Sequence, residues 1–150
     1  MATSTLRHTA KSQYRTSSPI KAGTLAGLGG GVIFGMMMGM MGMLPMVAGM
    51  VGSSSALIGL ILHLGISAFI GASYGLVASR LPARTSVHVT AGMANGVVWW
   101  VLGALIMMPL ALGMNEMVLT IGQPQVMSLI GHLVFGLVTA YVFNRLYGRA

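Results

Sequence analysis

Apolar positions in this chain run continuously instead of alternating with polar ones. Four stretches, about 22–44, 55–79, 86–108 and 125–147, are apolar nearly throughout, and only the last admits a charged residue, Arg145, close to its end. Each approaches the roughly 20 residues that an α-helix needs to cross a hydrocarbon core of about 30 Å. The five prolines, Pro19, Pro45, Pro82, Pro109 and Pro124, fall at the boundaries, where a residue that cannot donate a backbone hydrogen bond suits a helix start or stop. The gaps are short, so the helices should pair as two hairpins. A membrane β-barrel would show alternating strands of about ten residues, which these runs do not. The pattern predicts an all-α membrane protein, with a flexible basic tail over 1–20 and a four-helix transmembrane domain over 21–150.

Composition agrees. Hydrophobic residues make up 55% of the chain and charged residues 6%, against about 25% charged in soluble domains. The mean hydropathy is +0.85, so lipid is the expected solvent for most of the chain. Charge then gives direction. Arg7, Lys11, Arg15 and Lys21 precede the first stretch, Arg80 and Arg84 separate the second from the third, and Arg145 and Arg149 close the fourth. The connections 45–54 and 109–124 contain no Lys or Arg. All eight cations therefore share one side, which the positive-inside rule makes cytoplasmic, with both termini inside. Spread over three juxtamembrane segments without interleaved aromatics, the net charge of +7 points to anionic lipid headgroups and away from nucleic acid. No apolar core precedes Lys21 to make a secretory signal. The Ser/Thr-rich, acid-free segment 1–20 also has the composition of an organellar transit peptide.

A shift of 69 residues places Gly23 on Gly92, Gly27 on Gly96, His63 on His132 and Arg80 on Arg149. This suggests an internal repeat, about 22–80 and 91–149. Two helices per unit would make it a parallel repeat. Residues four apart stack on one helix face, and small ones there let backbones approach closely in lipid. The first span carries such a ridge in Gly23, Gly27, Gly31, Gly35 and Gly39, and the third in Gly92, Gly96 and Ala104. In the second span the ridge is His63, Ser67, Gly71, Gly75 and Ser79; in the fourth it is His132, Gly136, Ala140, Asn144 and Gly148. Tight helix packing, with self-association through exposed glycine faces or within a larger membrane complex, is the expected use of these glycines.

Without cysteine and with Glu116 as the single acid, the chain can build no disulfide, thiolate site, carboxylate pair or Ser/His/Asp triad. It is expected not to be an enzyme. His63 and His132 stand out, each roughly 7–10 residues or about 10–15 Å inside its span, where an ionisable side chain is costly. Three uses are open to them: a neutral ring hydrogen-bonded to backbone, Ser or Trp; a proton or ion relay; or axial ligation of haem b or a shared metal. Trp99 and Trp100 lie at similar depth, where two readings are open: bulky packing opposite the glycine-lined helices, or a Trp100 N–H donating to an imidazole. Asn95 and Ser67 could add polar support. Thioethers bind Cu(I), and Met36/Met40 and Met37/Met41 share helix faces within a methionine cluster, although methionine is also an adaptable apolar filler. His8 and His88 carry no signal.

Leu62-His63 to Pro82, with Ser67, Tyr74 and Val77-Ala78, resembles the first hairpin of the YagU-like family of bacterial inner-membrane proteins. Gly92, Gly96, Pro109-Leu110 and Ile130-Gly131-His132-Leu133-Val134 resemble its second half, including a Phe-Gly-His-Leu-Val motif. The long insertion that family carries in its first outer connection is missing here. The resemblance implies a bacterial cell inner-membrane protein with a role in acid or envelope stress, and a proton-related use of His63 and His132. Three roles follow as expectations: such a non-enzymatic protein, a haem- or metal-binding membrane subunit, or a small proton or metal transporter or channel. The transit-peptide composition would instead imply an organellar inner membrane.

Overall fold

A computed structural model describes residues 18–82 and 84–147, all helix and connection without a strand among them. The helices are α1 (Pro19–Met40), α2 (Leu44–Gly49), α3 (Ala56–Ala78), α4 (Thr85–Trp99), α5 (Met108–Ala111) and α6 (Gln123–Tyr147). Four helices are long and apolar enough to cross a membrane, one of them the composite Thr85–Ala111. Arg7, Lys11, Arg15, His8, Gly148, Arg149 and most of the expected tail lie outside the described residues. α1 starts at Pro19, in its first turn, where proline's missing N–H costs nothing.

Two departures from four simple helices matter for function. The first connection is not a plain loop: Gly42 turns the chain at φ 66°, and Leu44–Gly49 folds into α2 with proline in its first turn. The third span is not uniformly α-helical. Between α4 and α5, Trp100–Met107 is π-helical, a wider turn that shifts which residues face inward. The expected ridge Gly92–Gly96–Ala104 is therefore corrected beyond Gly96: Trp100 and Leu105 are buried there, while Ala104 is only half-buried. The following connection is pinned to this segment, since the Leu119 N–H donates to the Leu105 carbonyl at 2.9 Å. Leu119 holds φ 58°, unusual for a residue other than glycine.

α1 packs against α3 on one flank and α6 on the other, and α4 packs against α6; α3 and α4 barely touch. The α1/α3 seam is antiparallel and nearly backbone to backbone. A Cβ added at Gly23 or Gly27 would overlap the carbonyl of Gly71 or Ser67, and one added at Gly75 would overlap that of Pro19. Gly31 faces the Ser67 side chain and Gly35 faces His63. In the α4/α6 seam Gly92 and Gly136 abut each other's carbonyls, and Gly96 abuts that of His132. Gly39 is exposed beyond the α1 seam, where the chain turns away to α2, which corrects its place in the ridge. A second four-residue ridge of α1, comprising Ala22, Ala26, Gly30 and Phe34, is also buried. Gly30 meets Phe135 and Thr139 of α6, and the Phe34 ring fills the place a Cβ on Gly131 would need.

The outer surfaces remain apolar, with Leu25, Leu57, Phe69, Val77 and Tyr141 among the exposed side chains. Lys21, Arg80, Arg84 and Arg145 all lie at the end where α1 starts and α6 stops, hereafter the terminal end. Glu116 lies at the opposite, connection end.

Candidate functional site

The site forms where the two seams give out. α1, α3, α6 and the π-helical segment surround a cavity of about 680 Å³ in the half of the bundle toward the connection end. α2 and its two flanking residues close it from that end through Val47, Met43 and Met50. It opens sideways between α3 and the third span, where the lining residues Ile61, Ile66 and Met107 are exposed. At the edge of this opening Phe69 and Trp99 make an edge-to-face contact with centroids 5.8 Å apart.

Both interior histidines line the cavity. His63 sits one turn before Ser67 on the α1-facing side of α3, in room left by Gly35. Its Nε2–H donates to the Gly31 carbonyl at 3.0 Å. His132 reaches in from α6, and its Nδ1–H donates to the Ser128 carbonyl at 2.8 Å, with the Ser128 hydroxyl at 3.4 Å. The Phe34 ring packs edge-to-face on both imidazoles, its centroid 5.2 Å from His63 and 4.9 Å from His132. Each ring thus commits one N–H to a backbone carbonyl. Among the described residues, the second nitrogens, Nδ1 of His63 and Nε2 of His132, have no hydrogen-bond partner. A backbone carbonyl holding one nitrogen fixes the tautomer and orientation of the ring.

Thioethers supply much of the remaining wall. Met37 and Met38 come from α1, Met41 from the residue that follows it, Met107 and Met108 from the third span, and Met127 from α6. Met36 and Met40 face away from the cavity, 54% and 90% exposed, because they lie on the opposite side of α1. That corrects the grouping of Met36/Met40 with Met37/Met41 as one candidate metal set. Ser67 lines the cavity beside His63. Asn95 does not line it; its buried Nδ2 has no partner among the described residues. The reading of a Trp100 bond to an imidazole is also corrected. The π-helical turn carries the indole toward the start of α6, and its N–H donates to the Gln125 carbonyl at 2.9 Å.

His88, set aside in the sequence, is buried at the terminal end. Its carbonyl accepts the Tyr74 hydroxyl at 3.0 Å, its ring lies 6.0 Å from Phe143, and its Nδ1 has no partner among the described residues. The signal was available: His88, Gly92 and Gly96 are spaced four apart.

The chemistry open to this arrangement is narrow. Among the described residues no Asp, Glu, Lys or Arg lines the cavity, so these offer neither a carboxylate base nor a cation for an anionic group. Haem b fits poorly: Phe34 occupies the space the two imidazoles share, and nothing on the wall would pair with propionates. Among the described residues no group of three His, Asp or Glu gathers as for a hard metal ion. No protein-family model matches the chain, and neither a curated protein nor a solved structure is detectably similar to it.

Proposed function

We propose that this chain is a non-enzymatic, multi-pass protein of the bacterial cell inner membrane that binds a small ligand in the cavity between its helical hairpins. The observation that carries this reading is the cavity wall, apolar but for two serines and two half-committed imidazoles, with no acid, cation or thiol to drive bond breaking. Such walls suit binding, with a few convergent polar groups to orient the guest. We read the terminal end as cytoplasmic, since Lys21, Arg80, Arg84 and Arg145 gather there, close to anionic headgroups. We read the two hairpins as a parallel repeat, each giving one histidine to the shared cavity. The resemblance to the YagU-like family adds a role in acid or envelope stress, which survival of a deletion strain after low-pH challenge tests.

Filling the cavity tests the binding reading directly. A Cβ added at Gly103 meets nothing within 4 Å, so Gly103→Phe places a ring in the cavity without disturbing a seam. The wild-type protein should take up an apolar fluorescent probe and transfer energy to it from Trp99; Gly103→Phe should not. Equal uptake by both would remove the reading. Reporter fusions at Ala2 and Ala150 should both report cytoplasm, and opposite compartments would overturn the topology.

A further inference from the structure

We propose that the guest of this cavity is an uncharged lipid whose polar end is a hydroxyl group, entering from the bilayer and donating its O–H to Nε2 of His132. The proposal rests on the reading of the cavity as a binding site and names the class of ligand. It starts from a difference between two histidines that look equivalent in the sequence. On His63 the outer ring nitrogen, Nε2, is committed to the Gly31 carbonyl at 3.0 Å, a bond that ties α3 to α1. The nitrogen left over, Nδ1, is bonded directly to Cγ, close to the helix that carries it. On His132 the order is reversed. Nδ1 turns back to the Ser128 carbonyl of its own helix at 2.8 Å, and the outer Nε2 is left over. His63 is also the more buried, at 8% exposed, whereas His132 is half-buried and lines the cavity. His63 is thus a clasp between helices, and His132 is the group a guest can reach.

The tautomer decides what this nitrogen binds. A carbonyl oxygen only accepts, so Nδ1 of His132 carries the proton and Nε2 of the neutral ring is a bare acceptor. A hydroxyl group satisfies it; an ester, ketone or ether has no proton to offer. Charged guests are disfavoured, because among the described residues no Asp, Glu, Lys or Arg lines the cavity, and burying an unpaired ion in an apolar site is costly. The rest of the wall suits a hydrocarbon tail. Met37, Met38, Met108 and Met127 line it, and unbranched thioether side chains adapt to a flexible chain. Gly65 of α3 and Gly103 of the third span line it too, and a Cβ on either would meet nothing within 4 Å. With Ile61 and Met107 exposed at the sideways opening, a tail can enter without leaving the hydrocarbon layer.

The test uses the full chain in lipid nanodiscs, with dodecanol and its methyl ether as competitors of the apolar fluorescent probe. The two share a tail and differ in the donated proton. Compared at equal concentration in the bilayer, dodecanol should displace the probe about fivefold more effectively than the ether, as one net hydrogen bond provides. His132→Leu should abolish that preference, and Met36→Leu, on the outward face, should keep it. Because the histidine variant could fail to fold, nitrogen resonances of the imidazoles are also followed in the wild-type protein. Dodecanol should move the unprotonated nitrogen of His132 and leave that of His63, and the ether should move neither. Equal displacement by alcohol and ether, a preference that survives His132→Leu, or a shift at His63 instead of His132 overturns the proposal. If the fluorescent probe is still taken up in that case, only the ligand class is wrong; if neither probe nor alcohol binds, the cavity reading falls as well.

Discussion

The hairpin of α1 and α3 and the hairpin of α4 and α6 both set glycine close against the facing helix, first on backbone and, in the longer seam only, then on the Ser67 and His63 side chains. In the first the seam runs through Gly23, Gly27, Gly31 and Gly35, four successive turns. In the second it runs through Gly92 and Gly96 and stops at Trp100, where the π-helical turns begin. The most apolar window of the third span is 17% buried, against 44% for α1. In lipid there is little hydrophobic force between helices, and close packing of small residues supplies the attraction. Helices therefore part where their small residues end. The space left beside the third span is the cavity, so a short seam is what makes a site.

The comparison can be broken most severely at the joint between the hairpins. Phe34→Ala removes the ring that packs on Gly131 and both imidazoles, and should cost about 3–5 kcal/mol in reversible unfolding in bicelles. Next comes the long seam itself. Gly71→Val drives a branched side chain into the Gly23 carbonyl and the Gly27 backbone, and a loss of about 3 kcal/mol is expected. The same change at Gly103, where an added Cβ meets nothing, should cost less than about 1 kcal/mol. Equal losses at Gly71 and Gly103 would erase the distinction between the two hairpins.

Smaller changes sharpen it. Trp100→Phe deletes the indole N–H that donates to the Gln125 carbonyl and should cost about 1 kcal/mol, lowering protection of the α6 start in hydrogen exchange. Thr139→Val should be neutral or stabilising by a few tenths of a kcal/mol. The buried Thr139 hydroxyl has no partner among the described residues, so replacing it with a methyl group sacrifices no bond to them. A marked destabilisation in the same unfolding assay would mean that the hydroxyl is satisfied after all.

The four spans were legible because unbroken apolar runs and boundary prolines are local signals. The seam faces were legible in part, because small residues four apart show where backbones can meet. What could not be read followed from the solvent. Outward faces such as Leu57 and Val77 are as apolar as inward ones, so hydrophobicity does not tell α1's second ridge, Ala22 to Phe34, from a lipid-facing surface. The π-helical segment Trp100–Met107 carries no local marker either, since its widened turns are supported by the Leu119 and Gln125 contacts, which come from distant residues. That is why Trp100 could be read onto a histidine and Ala104 onto the ridge. Methionines likewise look alike in sequence, although Met37 lines the cavity and Met36 faces out.

The claim that a cavity opens sideways into the bilayer between α3 and the third span is tested most directly by Trp99, which lines that opening. In Trp100→Phe protein reconstituted into liposomes, Trp99 is the single tryptophan left. Lipids brominated along the acyl chain should quench its emission strongly, aqueous iodide should have little effect, and Gly103→Phe should reduce the lipid quenching. Strong iodide quenching with no effect of the brominated lipids would contradict the account.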